Sequence, residues 1–341
     1  MNEDGTQDLR QLLQQQADRA PQPSGLRPTT VRRARAHRFG LAAVTCVALV
    51  AVVVTGIRIT TAVSQRNGTP GVIRIPPAKH KQTAKPTEEI AFTRWAKKSA
   101  IDILEENGQI RQVITNGGYA IAGPAWSPNG KKIAFHGFYG KAANEAGGLF
   151  SVNVDGGHLK LLQVGGAEPT WSPNGKRIAF YSARSGFLSV VDADGHNART
   201  VTRIEGDAPT WSPDGTWIAF DSNGRAIYVV RPDGSKLHRI ATSHRRWRLT
   251  EAAWSPNGRR IAYTRYRTGT QKSDIYTMKP DGSDATLLVR NALEAAWSPN
   301  GSEIAFSRNG AANIYSINAD GSGMIQLTSG PAADFSPAWR P

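Results

Sequence analysis

The sequence predicts an all-β fold, a six-bladed β-propeller, preceded by one transmembrane helix. The segment Trp-Ser-Pro-Asn/Asp-Gly, followed two residues later by Ile-Ala-Phe/Tyr, recurs five times, starting at Trp126, Trp171, Trp211, Trp254 and Trp297. The copies lie 40 to 45 residues apart, which is the length of one four-stranded propeller blade. Before them, Phe39 to Ile57 is a run of 19 residues without a charge, about the length needed to cross a bilayer as a helix.

Two incomplete copies of the motif raise the number of predicted blades from five to six. Ile90-Ala91-Phe92 stands one repeat length before Ile133 but has no preceding Trp, and Pro337-Ala338-Trp339 ends the chain with no following Ile-Ala-Phe. In a closed ring, a strand around Trp339 completes the blade that begins at Ile90, so that no sheet edge stays open at the junction. We therefore expect a propeller over residues 89–341, closed by the C-terminal strand.

The local chemistry of each repeat fits short antiparallel strands. In Ser-Pro-Asn-Gly, Pro suits the second position of a type I turn, Asn or Asp suits the third, and Gly suits the position of positive φ that follows, which gives a turn with a bulge. A third strand and an Asp-Gly turn follow each Ile-Ala-Phe/Tyr and lead to a fourth strand of the type Met324 to Thr328. The predicted third strands include Ile227 to Val230, Ile275 to Met278 and Ile314 to Asn318.

The residues before the propeller read as a membrane tether in three parts. Residues 1–38 form a predicted cytoplasmic segment, with a short amphipathic helix from Leu9 to Ala20 and an Arg cluster, and residues 39–57 form the transmembrane helix. Residues 58–88 are a Pro-rich linker. Arg lies mainly before the apolar run, which predicts a single-pass protein of the cell membrane with its N-terminus in the cytoplasm and its propeller outside. A cleaved signal peptide is the competing interpretation.

Charge and cysteine content limit the possible partners. The chain has 42 basic and 27 acidic residues, a net charge of +15. The excess is divided between the first 88 residues and the propeller, and the Arg cluster is explained by anionic lipid and topology. We therefore expect no nucleic-acid partner, although a cytoplasmic partner of residues 1–38 is a second possibility. The single Cys46 lies within the apolar run, so the chain can form no internal disulfide.

The sequence contains no catalytic or cofactor motif that we could identify. Nucleophile elbows, metalloprotease helices and phosphate-binding loops are absent. The seven His residues show no ligand-like spacing. We therefore expect a protein that is not an enzyme and that has no catalytic residue, no metal and no cofactor.

The repeats resemble a known family. WSPNGKKIAF at 126–135 and WSPDGTWIAF at 211–220 are similar to the repeats of the TolB-like six-bladed β-propeller family, over about three quarters of the chain. The resemblance implies protein recognition on a propeller face. This chain lacks room for the separate N-terminal α/β domain of TolB, so a Tol-Pal role does not follow from the resemblance.

Two groups of residues are candidate binding sites. The first is a basic and aromatic patch predicted on two consecutive loops, 243–250 and 264–273, where guanidinium groups beside aromatic rings suit an anionic partner. The alternative is that these are solvated basic loops without a binding role. The residues of the patch are His244, Arg245, Arg246, Trp247, Arg248, Arg265, Tyr266, Arg267 and Lys272.

The second group is an incomplete acidic ring at one mouth of the central channel. Glu168, Glu251 and Glu294 each stand three residues before a repeat Trp, while Asp207 stands four and Asp334 five residues before theirs. Converging carboxylates would attract a cation or a basic peptide terminus. The alternative is that each carboxylate caps local backbone amides.

Three function classes follow. The leading one is a membrane-anchored, extracytoplasmic and non-enzymatic module that binds a protein or an anionic cell-envelope polymer. A transmembrane signalling or anti-sigma-like regulator, with the propeller as sensor, is the second. A propeller-based lyase or hydrolase that uses the channel mouth is the third.

Overall fold

The computed structural model describes residues 86–96, 98–115, 120–137, 147–244, 246–270, 272–310 and 312–341. The predicted cytoplasmic segment, the predicted transmembrane helix and nearly all of the Pro-rich linker lie outside these residues. Within the described ranges there is no helix of the length and apolarity that crossing a bilayer requires.

The described residues form six four-stranded antiparallel sheets, which confirms the predicted six-bladed propeller. We number the blades by their order in the chain, and in each blade the strands run from the central channel outward. Blade 1 consists of β24 (Ala333–Trp339), β1 (Ile90–Trp95), β2 (Ser99–Leu104) and β3 (Ile110–Thr115). Blade 2 consists of β4 (Ile121–Trp126), β5 (Lys132–Gly137), β6 (Gly148–Asn153) and β7 (Lys160–Val164).

The other four blades follow the same order without exchange of strands. Blade 3 consists of β8 (Gly166–Trp171), β9 (Arg177–Ser182), β10 (Phe187–Asp192) and β11 (Arg199–Glu205). Blade 4 consists of β12 (Asp207–Trp211), β13 (Ile218–Ser222), β14 (Ala226–Val230) and β15 (His238–Thr242). Blade 5 consists of β16 (Trp247–Trp254), β17 (Ile261–Arg267), β18 (Ser273–Met278) and β19 (Thr286–Arg290). Blade 6 consists of β20 (Ala292–Trp297), β21 (Glu303–Arg308), β22 (Ile314–Asn318) and β23 (Ile325–Gln326), the last being shorter than predicted.

Blade 1 closes the ring by joining the two ends of the propeller. The last strand pairs with the first, with Ile90 opposite Trp339 and Ala91 opposite Ala338. Beyond the strands, the Arg340 N–H donates to the Glu89 carbonyl at 2.8 Å, and the Arg340 guanidinium donates to the Glu89 carboxylate at 2.6 Å. The pairing predicted from the two half motifs is therefore confirmed.

The conserved spacing of the Ser-Pro-Asn/Asp-Gly segment reflects a tight turn between the first and second strands. In blade 2, the Gly130 N–H donates to the Ser127 carbonyl at 2.8 Å, and Gly130 has a φ of +64°. Positive φ is readily adopted by Gly because it has no Cβ. The Ser127 hydroxyl also accepts the N–H of Lys132 at 2.9 Å, so the turn fixes the start of the second strand.

The repeat Trp side chains lie between neighbouring blades, and they do so in two ways. The indole N–H groups of Trp126, Trp297 and Trp339 donate to backbone carbonyls of the preceding blade, at Ala338, Ala253 and Ala296. The donor–acceptor distances are 3.0, 3.2 and 3.1 Å. In the described part of the chain, the buried indole N–H groups of the other three repeat residues, Trp171, Trp211 and Trp254, have no hydrogen-bond partner.

We predict that Trp339→Ala destabilises the whole ring. The side chain is buried, and large-to-small substitutions of this kind cost about 3–5 kcal/mol. Because this strand completes blade 1, the melting temperature should fall by about 6 to 20 °C for a domain of this size. Met324→Ala is the control, since that side chain is 44% exposed. Circular dichroism melts that show equal melting temperatures for the two variants would contradict the role assigned to the closing strand.

Candidate functional site

The inner strand of every blade contains the same backbone irregularity, three residues before the repeat Trp. At this position the strand has a positive φ and shifts register against the second strand of its blade. A positive φ is unfavourable for residues other than Gly. The six residues and their φ angles are Gly123 at 63°, Glu168 at 53°, Ala208 at 44°, Glu251 at 56°, Glu294 at 60° and Ser336 at 52°.

Side chains of the preceding blade accept the N–H groups that these bulges release from the sheet. The Glu294 N–H donates to the carboxylate of Glu251 at 3.0 Å and to the Thr264 hydroxyl at 3.2 Å. The Ser336 N–H donates to the carboxylate of Glu294 at 2.8 Å. In blade 4, the Ala208 N–H donates to the carboxylate of Glu168 at 2.7 Å. Each of the three glutamates therefore links its own blade to the next one.

Blades without a glutamate use a neighbouring position for the same purpose. The Gly123 N–H donates to the Thr93 hydroxyl at 3.2 Å, and the Glu168 N–H donates to Nδ1 of His136 at 3.4 Å. Both acceptors come directly after the Ile-Ala-Phe of the preceding blade. Sequence reasoning missed this position, which is occupied around the ring by Thr93, His136, Tyr181, Asp221, Thr264 and Ser307. The signal in the sequence was that the residue type varies at this one position, directly after the repeated Ile-Ala-Phe/Tyr.

The structure divides the predicted acidic ring into unlike parts. Glu168, Glu251 and Glu294 occupy equivalent positions, and Asp207 precedes the bulge residue of blade 4. Asp334 is different, because Arg94 donates to both of its carboxylate oxygens at 2.8 and 3.0 Å. Arg94 also contacts the Asp102 carboxylate at 3.0 Å. The charge of Asp334 is thus used within blade 1, whereas the buried Asp221 adds a carboxylate that the sequence analysis did not include.

Burial and mutual repulsion raise the pKa of several of these carboxyl groups. Burial, followed by the negative charge of Glu294, raises the pKa of Glu251 to about 8. Burial and the neighbouring Asp207 raise the pKa of Glu168 well above its ordinary value, and the same two causes act on Asp221. Burial lowers the pKa of His136 to about 4, so its imidazole is neutral. We call Glu168, Asp207, Asp221, Glu251 and Glu294 the acidic arc.

Across the described ranges, no group of three or more His, Cys, Asp or Glu side chains is arranged to hold a metal ion. Each of the three glutamates does accept a backbone N–H, as the alternative interpretation expected. The N–H is not local, however, because it belongs to the next blade.

The basic and aromatic patch lies on strands that are longer than their counterparts, not on two loops. In blade 5, the first strand has eight residues and the second has seven, so Trp247, Arg248, Arg265, Tyr266 and Arg267 are all strand residues. Prediction of loops here was wrong, because the many Arg residues hid the strand pattern. His244 and Arg246 precede the first strand and Lys272 follows the turn after the second, while Arg245 lies outside the described residues.

Stacking fixes the orientation of one guanidinium in this patch. The Arg265 guanidinium carbon lies 4.2 Å from the ring centroid of Trp247 and 5.3 Å from that of Tyr276. Its Nη1 donates to the Tyr276 hydroxyl at 3.3 Å. The Arg267 guanidinium lies 6.0 Å from the Trp247 ring, directly across the strand pair. Tyr276, on the third strand of the blade, was missed because it is 29 residues from Trp247 in the sequence and is brought close only by strand pairing.

Arg248 and Tyr266 stand apart from this stack. They form a cross-strand pair with each other, at the position next to the Trp247–Arg267 pair. Successive side chains of a strand point to opposite faces. Arg248 donates to the Asn223 carbonyl of blade 4 at 2.7 Å. The structure thus brings together Trp247, Arg265 and Arg267, and assigns Arg248 to the contact with blade 4.

The cations of the patch are free of carboxylate partners among the described residues. None of the ion pairs that the described ranges contain involves Arg246, Arg248, Arg265, Arg267 or Lys272. The patch also lies at the end of blade 5 opposite its Ser-Pro-Asn-Gly turn. The chain enters the propeller at Glu89 beside Arg340, at the end of blade 1 that corresponds to those turns. The patch and the chain entry are therefore on opposite faces of the ring.

We predict that the propeller loses stability as the pH rises from about 6.5 to 8, above the range in which His136, whose pKa is lowered to about 4 in the fold, acts in the opposite direction. Glu251 has an ordinary pKa of 4.5 and a pKa of about 8 in the fold, so the folded state binds more protons than the unfolded state between these values. Its contribution is present at low pH and is lost as the pH rises through 8. The negative charges of Glu294 and Asp207 raise the pKa of Glu251, and that of Asp207 also raises the pKa of Asp221.

The matched variant is Glu251→Gln, which keeps an oxygen acceptor for the Glu294 N–H but cannot ionise. Melting temperatures measured at pH 6.5 and pH 8 should differ less for this variant than for the wild type. A wild-type melting temperature that rises from pH 6.5 to pH 8 would contradict the prediction.

Comparison with known proteins agrees with this geometry. Residues 87–307 match the profile of the TolB beta propeller domain family. The chain is 32% identical over 93 residues to the Tol-Pal system protein TolB of Anaeromyxobacter dehalogenans (strain 2CP-C), a match that covers 27% of this chain and 21% of that protein. The match thus spans about a fifth of the length of this curated relative.

Two solved structures share the fold. TolB from Acinetobacter baumannii is 20% identical with a TM-score of 0.66, covering 76% of this chain and 68% of that one. Putative TolB from Agrobacterium tumefaciens is 18% identical with a TM-score of 0.57, covering 75% of this chain and all of that one. The family match covers most of the described residues and agrees with the six repeats and the closed ring. The chain therefore belongs to the TolB beta propeller domain family.

Proposed function

We propose that this protein is a non-enzymatic binding module of the cell envelope, and that its basic and aromatic patch takes an anionic partner. The observation that carries the proposal is Arg265, held between Trp247 and Tyr276 with no carboxylate partner among the described residues. A guanidinium that is stacked on rings keeps its N–H edge available for an oxyanion. The partner would be an acidic segment of an extracytoplasmic protein or an anionic envelope polymer.

The preorganisation of the patch favours binding over simple solvation. A flexible Arg loses side-chain entropy when it binds, but Arg265 is already oriented by two rings and by its hydrogen bond to the Tyr276 hydroxyl. Arg267 lies against the same Trp247 ring, and Arg246 and Lys272 stand at the ends of the two strands. Several cations would therefore contact one anionic partner at a lower entropic cost than a mobile loop would pay.

The placement of the patch suits a tethered protein. We propose that residues 39–57 anchor the chain in the cell membrane, with residues 1–38 in the cytoplasm and the propeller outside. The chain reaches the propeller at Glu89, on the face opposite the patch, so the point of attachment does not cover the patch. The name of the relative, a Tol-Pal system protein, supports a role at the envelope. It does not identify the partner of this chain.

Charge reversal tests the patch. The double variant Arg246→Glu and Arg265→Glu should weaken binding of the purified full-length protein to an anionic polymer by about tenfold or more, because like charges at a contact cost several kcal/mol. The probes are poly-L-glutamate and poly(glycerol phosphate), measured by calorimetry at fixed salt. The first represents an acidic protein segment and the second a phosphate polymer.

Lys131→Glu combined with Lys176→Glu is the matched control. It makes the same change in net charge at two exposed turns on the opposite face. Equal affinities of the patch variant and the control variant for both polymers would rule out the patch as the binding surface.

The acidic arc supports a second candidate, which is recognition of a basic peptide terminus at the channel mouth. The five carboxyl groups of the acidic arc lie in blades 3 to 6, and a cationic peptide end near them would favour their ionised forms against the burial that raises the pKa of Glu168, Asp221 and Glu251. Replacing Glu168, Glu251 and Glu294 together by Gln should abolish binding of a tri-lysine peptide in calorimetry. Unchanged peptide binding would leave these glutamates with only their role between blades.

A further inference from the structure

In five of the six blades, a second ring or a guanidinium lies against the aromatic residue of Ile-Ala-Phe/Tyr, and in blade 3 the described residues provide neither. In blades 2, 4, 5 and 6, the residue directly opposite on the third strand is a second aromatic. The stacked pairs are Phe135–Phe150, Phe220–Tyr228, Tyr263–Tyr276 and Phe306–Tyr315, with ring centroids 5.6 to 5.9 Å apart. In blade 1, the guanidinium of Arg94 lies 5.0 Å from the Phe92 centroid instead.

Blade 3 has a serine at this position. Ser189 is the cross-strand partner of Phe180, and Thr200 continues the same row on the outermost strand. Ser and Thr are much smaller than the aromatic and aliphatic side chains that fill the corresponding row of blade 2, where Phe135, Phe150 and Leu161 lie side by side. Protein interiors are normally close-packed, so a missing ring at an inter-blade junction leaves space.

A cleft of about 500 Å³ occupies this place. Phe180, Ser189 and Thr200 form one wall, and Leu161, Leu162 and Gln163 on the outermost strand of blade 2 form the other. The volume is within the range of small-molecule sites. Both Phe180 and Ser189 are buried at the floor, so a ligand would enter from the outer rim between the two blades.

The rim of the cleft is polar and positively charged. Ser182, Arg184 and Ser185 line it where the second and third strands of blade 3 are joined, and Arg199 lines it on the outermost strand. Arg199 already donates to the Pro232 carbonyl at 2.6 Å. Arg184 is exposed and forms no ion pair with a described residue. An anionic group that reaches the rim would therefore meet the Arg184 guanidinium together with serine hydroxyls.

We propose that this cleft binds a small planar aromatic ligand that carries a carboxylate or a phosphate. The ring would lie in the outer part of the cleft, above the buried Ser189, and reach the part of Phe180 that lines it, and the anionic group would lie at Arg184. Offset stacking of rings is favourable beyond simple burial, and hydrogen bonds from Arg to an oxyanion are stronger than neutral ones. The site shares no residue with the patch on blade 5 or with the acidic arc.

Binding of simple probes to the full-length protein tests the proposal. The aromatic probes are 4-hydroxybenzoate and phenyl phosphate, and the controls are phenol, cyclohexanecarboxylate and inorganic phosphate. We expect the two aromatic anions to bind with a dissociation constant of about 1 mM or lower by saturation-transfer NMR and calorimetry. Each control should bind at least about tenfold more weakly, a difference of about 1.4 kcal/mol. Phenol binding as tightly as 4-hydroxybenzoate would exclude the anionic half of the site.

Two substitutions locate the site. Ser189→Phe restores the ring found in the other blades, so it should abolish probe binding and raise the melting temperature, whereas Ser189→Ala should leave binding unchanged. Arg184→Glu, at an exposed turn, should abolish binding of both anions without lowering the melting temperature, and it keeps the test valid if Ser189→Phe does not fold. The proposal is overturned if neither aromatic anion saturates the protein at about 10 mM, or if their binding survives Arg184→Glu.

Discussion

The structure depends on one constraint, the need to satisfy the N–H group at the bulge of each inner strand. The bulge lets the strand bend around the channel, but it turns an amide away from its own sheet, and a buried amide without a partner is costly. In this propeller the partner comes from the preceding blade: a hydroxyl of Thr93, an imidazole of His136, the carboxylate of Asp221 or a glutamate carboxylate. Every blade is thus held by its neighbour, and closure by the last strand completes a circle of such contacts.

This constraint also decides where function can lie. The glutamates of the acidic arc already accept backbone and hydroxyl hydrogen bonds, so a ligand in the channel has to share carboxylates that hold the ring. Arg265 has no such duty. Its guanidinium stacks on Trp247 and Tyr276 of its own blade, so a partner can take its N–H groups without disturbing the junction between blades. For this reason we assign the principal function to the rim and not to the channel.

The number of blades and their closure could be predicted from the sequence because they depend on a repeated local signal. Ile90 and Trp339 each carry half of the motif, and the ring pairs them. Features that depend on register across strands could not be predicted in the same way. Tyr276 joins Arg265, and Ser189 lies opposite Phe180, only through pairing that one sequence does not reveal. Likewise, Asp334 is set apart from the other predicted acidic residues by its hydrogen bond from Arg94, which is 240 residues away in the sequence.

The repeat tryptophans divide the six junctions between blades into two sets of three, which differ in whether the indole N–H has a hydrogen-bond partner. Indole hydrogen bonds fasten the junctions between blades 5 and 6, 6 and 1, and 1 and 2, which form one continuous arc around the chain ends. The other three junctions are packed by the same side chains without that directional contact, and sliding between those blades breaks no indole bond. The cleft proposed above borders this second set. A ligand there would contact both blade 2 and blade 3, and so add contacts across a junction where the buried Trp171 N–H has no partner among the described residues.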